Sequence, residues 1–134
     1  MTAFLLDTTV LFQQFKAQPL VREWIDRRLV AGDELFTTVV NVAEALAGAG
    51  ESERPYWDRL FSELPIFPVL VEDGQVAGRL RYDLRRRGLT IHAPDALIAA
   101  VAANRGCQLV TANLKDFRKT GLPVVHLDGD SERG

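Results

Sequence analysis

Phe4-Leu5-Leu6 is followed at once by Asp7-Thr8-Thr9 and then by Val10-Leu11-Phe12. An apolar run is thus broken by a carboxylate and two hydroxyls before apolarity resumes. The first run reads as a strand buried on both faces, over residues 3–6, and the second as a helix. Residues 19–31 space Leu20, Trp24 and the Ile25/Leu29 pair at helical intervals, with Gly32 as the stop. Residues 34–37 form a short second strand that leads into the small-residue helix VVNVAEALAGAG. In ESERPYWDRLFSEL, Pro55 lies near the start, and Trp57, Leu60, Phe61 and Leu64 share one stripe, which predicts a helix closed by Pro65. IFPVLV is a third strand, placed at a sheet edge by Pro68. In DGQVAGRLRYDLRRRG, Val76, Leu80 and Leu84 recur four apart and Gly88 is the stop. Ala93-Pro94-Asp95 opens a helix that is apolar nearly all round, and therefore buried. Residues 108–111 are a fourth strand, NLKDFRKTG a short helix, and residues 124–127 a fifth strand. Strands alternating with helices predict a parallel sheet of four to five strands covered on both faces, a three-layer α/β/α domain.

Composition changes this picture little. The 134 residues, 47% hydrophobic and 25% charged, suit one globular domain over 1–134, with a frayed polar tail at 128–134. A net charge of −2 argues neither for nor against a nucleic-acid partner. The single cysteine, Cys107, cannot form an internal disulfide and reads as a small buried hydrophobe, which fits a reducing, cytoplasmic compartment. No secretion leader is expected, and no apolar run is long enough to span a bilayer. Glycine-rich phosphate loops are absent, His92 and His126 lack zinc-ligand spacing, and no serine has the setting of a nucleophile elbow.

The chemistry lies in acids that fall in apolar places. Asp7 ends the first strand, where a charge is costly unless hydrogen-bonded, solvated or paired. Glu44 is the only charged residue in its helix, with Asn41 three residues before it on the same face. Asp95 starts the most apolar helix, and Asn113 and Asp116 follow the fourth strand. If strands one and four are neighbours, Asp7, Asn113 and Asp116 converge on the carboxyl edge of the sheet, where α/β folds bind ligands, and Asp95 starts the helix feeding strand four. Such a cluster repels itself unless a hard divalent cation sits in it; Mg²⁺ suits it, with water and phosphate completing the shell. Each residue also has an ordinary structural reading. Asp7 can cap a helix, Asp95 after Pro94 is a favourable first-turn acid, and Asn113 with Asp116 imitates a capping box.

With those positions in hand, the chain resembles the PIN-domain ribonucleases, specifically the small VapC-type toxins of toxin–antitoxin pairs. LLDTTVLF is similar to the family's opening motif and VVNVAEAL to its second. The segment LRRRGLTIHAPDALIAAVAANRGCQLVTANLKDF matches the remainder, with Gly88, Ile91, Asp95, Leu97, Ile98, Gly106, Leu109, Thr111, Asn113, Asp116 and Phe117 in place. The resemblance implies a PIN-like fold and Mg²⁺-dependent hydrolysis of RNA phosphodiesters, with Mn²⁺ as a substitute. It implies Asp7, Glu44 and Asp95 as metal-ligating catalytic acids. Asp116 is assigned as the fourth, supported by Asn113, although some members carry the acid at the position of Asn113. Thr9 and Thr111 match hydroxyl positions that would hold a carboxylate or metal-bound water; as β-branched residues at strand ends they are equally ordinary. A homodimer and a cognate VapB-like antitoxin follow from the resemblance alone. Arg81, Arg85 and Arg86 are candidates to grip RNA phosphates, with a solvated helix face as the plainer reading. Two other functions fit parts of the chain: a PIN-like module that binds RNA or a partner without cutting, and an aspartyl-nucleophile phosphatase. The phosphatase needs a later lysine, for which Lys115 is a poor substitute.

Overall fold

In the computed structural model, which describes residues 1–128, five strands form one sheet in the order β3-β2-β1-β4-β5. They are β1 (Ala3–Leu6), β2 (Glu34–Thr38), β3 (Ile66–Phe67), β4 (Gln108–Thr111) and β5 (Val124–His126). Every neighbouring pair is parallel, and β1 lies between β2 and β4, with Leu5 opposite both Phe36 and Leu109. Successive side chains of a strand point to opposite faces. Phe4 and Leu6 accordingly join one core cluster and Leu5 the other.

The first cluster packs the sheet against α1 (Thr8–Phe15), α2 (Pro19–Val30) and α4 (Arg54–Glu63). Its centre is Trp57, fully buried, with Phe12 and Tyr56 edge-on to it and Phe15 and Phe61 stacked on it. Offset and edge-to-face contacts of this kind add about 0.5–1.5 kcal/mol per pair to the area buried. The second cluster sets the opposite face against α6 (Ala93–Asn104) and Phe117 of α7 (Leu114–Phe117). Ile98, Ala99 and Ala102 of α6 are buried toward the sheet, and its Ala96 and Ala100 against Ala77 and Leu84 of α5 (Val71–Arg86), which covers the far side. The architecture is a three-layer α/β/α fold. The helix α3 (Val39–Ala47) follows β2 and contributes Ala45 to the first cluster and Val40 to the second.

Several boundaries differ from the sequence reading for local reasons. The third strand is two residues, not six, and it is at the sheet edge as expected. Pro68 follows it directly and has no N–H to continue the ladder. The segment from Glu51 opens as a 3₁₀ turn, Glu51–Glu53, before α4 begins with Pro55 in its first turn. NLKDFRKTG likewise divides into α7 and a 3₁₀ turn, Arg118–Thr120, stopped by Gly121 at φ +76°. Beyond Asp128 the expected polar tail lies outside the described residues. Asp128 itself accepts a hydrogen bond from Gln13 Nε2 at 2.9 Å.

The helix α5 starts two residues before the predicted Asp73, and the reason is Asp73 itself. Its Oδ2 accepts the Leu70 N–H at 2.8 Å, which ties down the helix start. The side chain is fully buried. Arg105 meets it with Nη1 on Oδ1 at 3.0 Å and Nη2 on Oδ2 at 3.2 Å, and Asn104 Nδ2 donates to Oδ1 at 2.8 Å. Arg105 also lies over the Phe67 ring, 5.4 Å from its centroid. One carboxylate thereby joins the start of α5, the end of α6 and strand β3. Burial pushes the Asp73 carboxyl up, but these donors and the guanidinium charge together bring it below the ordinary range. Its contribution is complete above about pH 4 and fades as acid protonates it.

Removing one member of a buried pair strands the other, at a cost of about 3–5 kcal/mol. Asp73→Leu is expected to lose about 3 kcal/mol or more in urea unfolding. Asp73→Leu combined with Arg105→Met is expected to recover part of that loss. A double variant no more stable than Asp73→Leu would show that the charge pair is not the source of the cost.

Candidate active site

Strand order places a functional crevice before any side chain is considered. From β1 the chain builds outward to β2 and β3 on one side, then returns to place β4 and β5 on the other. The gap between β1 and β4 at their carboxyl ends is the topological switch point, where α/β sheets bind ligands. Asp7 follows β1 directly. Asn113 and Asp116 follow β4, Asp95 lies in the first turn of α6, and Glu44 projects from α3. Asp7, Glu44, Asp95 and Asp116 line one open hollow of about 390 Å³ with Thr8, Thr9 and Phe12. The four acids singled out in the sequence are thus brought together.

The arginines are elsewhere. Arg81 and Arg85 border a separate small hollow with Leu89, Thr90 and Ile91, and Arg81 Nε donates to the Ile91 carbonyl at 3.1 Å. Arg86 lies over the Tyr82 ring on α5. Lys119 Nζ donates to the Thr90 carbonyl, so the loop leading to Asp95 is held from two elements. Lys115 is not among the residues lining the acid hollow, which leaves the phosphatase reading without its lysine.

Asp7 is buried and caps α1 only through its backbone, whose carbonyl accepts from Val10 and Leu11 N–H. Its side chain makes no capping bond. Oδ2 instead accepts from Thr9 Oγ1 at 2.9 Å and from Thr111 Oγ1 at 3.0 Å. Those hydroxyls accept in turn from the backbone N–H of Ala112 and Asn113, both at 2.9 Å. Asn113 does not cap α7 through its side chain; its Nδ2 donates to Asp116 Oδ2 at 2.8 Å. Glu44 Oε1 accepts from Thr8 Oγ1 at 2.6 Å, and Thr8 accepts from Asn41 Nδ2 at 2.8 Å. Thr8 carries no signal in the sequence beyond its place beside Asp7. Asn41 shows only as the one amide on the face of Glu44.

The electrostatics follow from burial and like charge. Burial pushes the Asp7 carboxyl above its ordinary range, with a smaller push from Glu44, against the threonine hydroxyls. Asp95 is pushed up to about 6 by partial burial and then by Asp7, Asp116 and Glu44, with His92 opposing. Among the described residues no three Asp, Glu, His or Cys side chains stand close enough to enclose an ion as a ready cage. Mg²⁺ does not require one. It is commonly held by one or two carboxylates and keeps several waters. Hard oxygen donors around an open hollow, mutually repelling, fit such a cation. A carboxyl raised in the folded state is destabilising when ionised, fully so above its folded pKa, and the penalty disappears as pH falls toward its unfolded value. Asp95→Asn is therefore expected to raise the melting temperature in EDTA by about 3 °C at about pH 8, solvent screening of the partly exposed group included. The gain should shrink as pH falls through about 6 toward 4. Calorimetry across that range checks it, and an equal gain at both ends would contradict it.

Comparison with known proteins places the sequence and the fold. The PIN domain family model matches residues 4–122. Ribonuclease VapC19 of Mycobacterium tuberculosis is 31% identical over 116 residues, covering 84% of this chain and 90% of that protein. VapC ribonuclease Y4jK of Sinorhizobium fredii is 28% identical over 134 residues, covering 90% and 94%. Among solved structures, VapBC2 from Rickettsia felis, bound to a DNA fragment from its promoter, superposes with a TM-score of 0.82 at 23% identity. That match covers 95% of this chain and all of the other. VapBC-5 from Mycobacterium tuberculosis, a toxin–antitoxin system, gives 0.70 at 27% identity over 96% of this chain and 99% of that one. The family match over most of the chain, with the acids gathered at the switch point, shows that the chain belongs to the PIN domain family.

Proposed function

We propose that this protein is a metal-dependent endoribonuclease that hydrolyses RNA phosphodiesters, the toxin of a toxin–antitoxin pair. The observation that carries the reading is the lining of one hollow by Asp7, Glu44, Asp95 and Asp116. Relatives named as VapC ribonucleases support the substrate class. Asp7, Glu44, Asp95 and Asp116 would hold Mg²⁺ or Mn²⁺, which when bound supplies an acidified water and neutralises charge on the phosphate. The chain's own residues prepare the site. Thr9 and Thr111 occupy Oδ2 of Asp7, which leaves Oδ1 the less engaged oxygen, with one 3.5 Å contact from Asn41. Asn113 steadies Asp116, and the first turn of α6 presents Asp95. Arg85 and Arg86 are exposed on α5 and would neutralise RNA phosphates away from the acids.

The partner in this reading is a VapB-like antitoxin, with the toxin a homodimer in the cytoplasm. Solved relatives described as VapBC toxin–antitoxin systems support the antitoxin. A second hollow of about 460 Å³ is lined by Leu6, Leu11, Ile25, Leu29, Leu60 and Leu64, with Asp26, Glu34 and Glu63 also on it. It offers a protein partner apolar surface and a negative rim suited to basic side chains. No helix among the described residues is long and apolar enough to cross a membrane.

The test is cleavage of a transfer- and ribosomal-RNA panel by purified, partner-free protein in Mg²⁺, Mn²⁺ or EDTA. Cuts are expected with metal and not in EDTA, and Asp7→Asn or Asp95→Asn should slow them by about 100-fold or more. A folded protein that neither binds Mn²⁺ nor cuts would overturn the enzyme and leave a binding module.

A further inference from the structure

Hydrogen-bond direction around Glu44 is decided by a backbone group that cannot reverse. The N–H of Thr38, at the junction of β2 and α3, can only donate, and it meets Asn41 Oδ1 at 3.2 Å. That contact fixes which way the Asn41 amide faces. The Thr38 hydroxyl accepts from Val40 and Asn41 N–H at 3.1 and 3.3 Å, so its own proton goes to the same Oδ1, at 2.8 Å. Asn41 Nδ2 must then point away from the cap, and it donates to Thr8 Oγ1 at 2.8 Å. Thr8, having accepted, has one proton left, and the partner it reaches is Glu44 Oε1 at 2.6 Å. Thr38 and Asn41 are fully buried and Thr8 is 7% exposed, so water does not scramble the sequence of donors.

We propose that Asn41 is a positioning residue that orients Glu44 through Thr8. The proposal rests on the metal-site reading above. A helix cap alone accounts for only half of Asn41. Its oxygen serves α3, while its nitrogen crosses to α1, where no capping demand exists. The same logic operates at Asp7. There Thr9 and Thr111, 3.3 Å apart, each accept from a backbone N–H and each donate to Oδ2 of Asp7, a carboxylate oxygen that can only accept. Two carboxylates from different elements are thus aimed by hydroxyls whose polarity the backbone sets, which removes rotamer freedom before any ligand arrives.

Mn²⁺ binding to the purified full chain, read by electron paramagnetic resonance, tests the relay. Thr8→Val keeps the shape and loses the hydroxyl; it is expected to weaken Mn²⁺ about 10-fold. Thr8→Ser should stay within about 2-fold of the native protein, since its hydroxyl preserves the bond. Asn41→Leu should lose at least as much as Thr8→Val, since it also removes the cap of α3 and the contact to Asp7, and the two changes together no more than Asn41→Leu alone, because the groups act in series. Equal binding by Thr8→Val and Thr8→Ser, or additive losses in the double variant, would overturn the relay. A second readout does not depend on metal. In crystals of Thr8→Val grown in EDTA, the Glu44 side chain is expected to leave its native position. Glu44 unmoved there overturns the relay even if Mn²⁺ binds, whereas a native protein that binds no Mn²⁺ overturns the metal reading instead.

Discussion

Burying the Asp7 carboxylate beside other acids is a demand that no single element of this fold can meet. An unpaired charge there would cost several kcal/mol, and what offsets it comes from distant parts of the chain. Thr9 is local, on α1. Thr111 arrives from β4, 104 residues later, and Asn41 from α3. For Thr111 to reach Asp7, β4 must lie beside β1. Core packing on the two faces supplies most of the stability; strand order places the crevice, and this hydrogen bonding holds the buried acid in it.

Two aspartates show how environment sorts one side chain into opposite uses. Asp73 is buried more completely than Asp95, yet Arg105, Asn104 and the Leu70 N–H hold its carboxyl below the ordinary range. Asp95 has acids for neighbours and is raised. The first is a satisfied strut between helices and the sheet edge. The second stores unfavourable charge at the crevice, the pattern expected where a protein gives up stability for a binding site.

Much of this was legible in the sequence where apolar patterning carries the signal. Strands β1 and β4 fall where their continuous apolar runs predict, and the edge position of β3 follows from Pro68. Its length did not, since Val69-Leu70 look like strand residues until the missing N–H of proline is set against the ladder. The acids were legible because a charge in Leu-Leu-Asp or Val-Ala-Glu contradicts its surroundings. Thr8 was not, and Asn41 showed only as the amide on the face of Glu44, because a hydrogen-bond relay leaves no periodic trace and both residue types are ordinary at helix starts. The basic stretch of α5 is legible only as charge. Charge along a helix says nothing of which arginine meets a carbonyl, as Arg81 does with Ile91, and which faces solvent.

The pairing of β1 with β4 has a consequence for the order in which the chain is made. Asp7, Glu44 and Asp95 are all synthesised before the first residue of β4, and until then β1 has only β2 beside it. A growing chain therefore carries Asp7 and Glu44 well before it carries Thr111, the second hydroxyl on Asp7, or Asn113, the partner of Asp116. Contacts so distant in sequence form late. Asp7 is made 104 residues before the Thr111 hydroxyl that holds its Oδ2, so the crevice assembles only once β4 is in place.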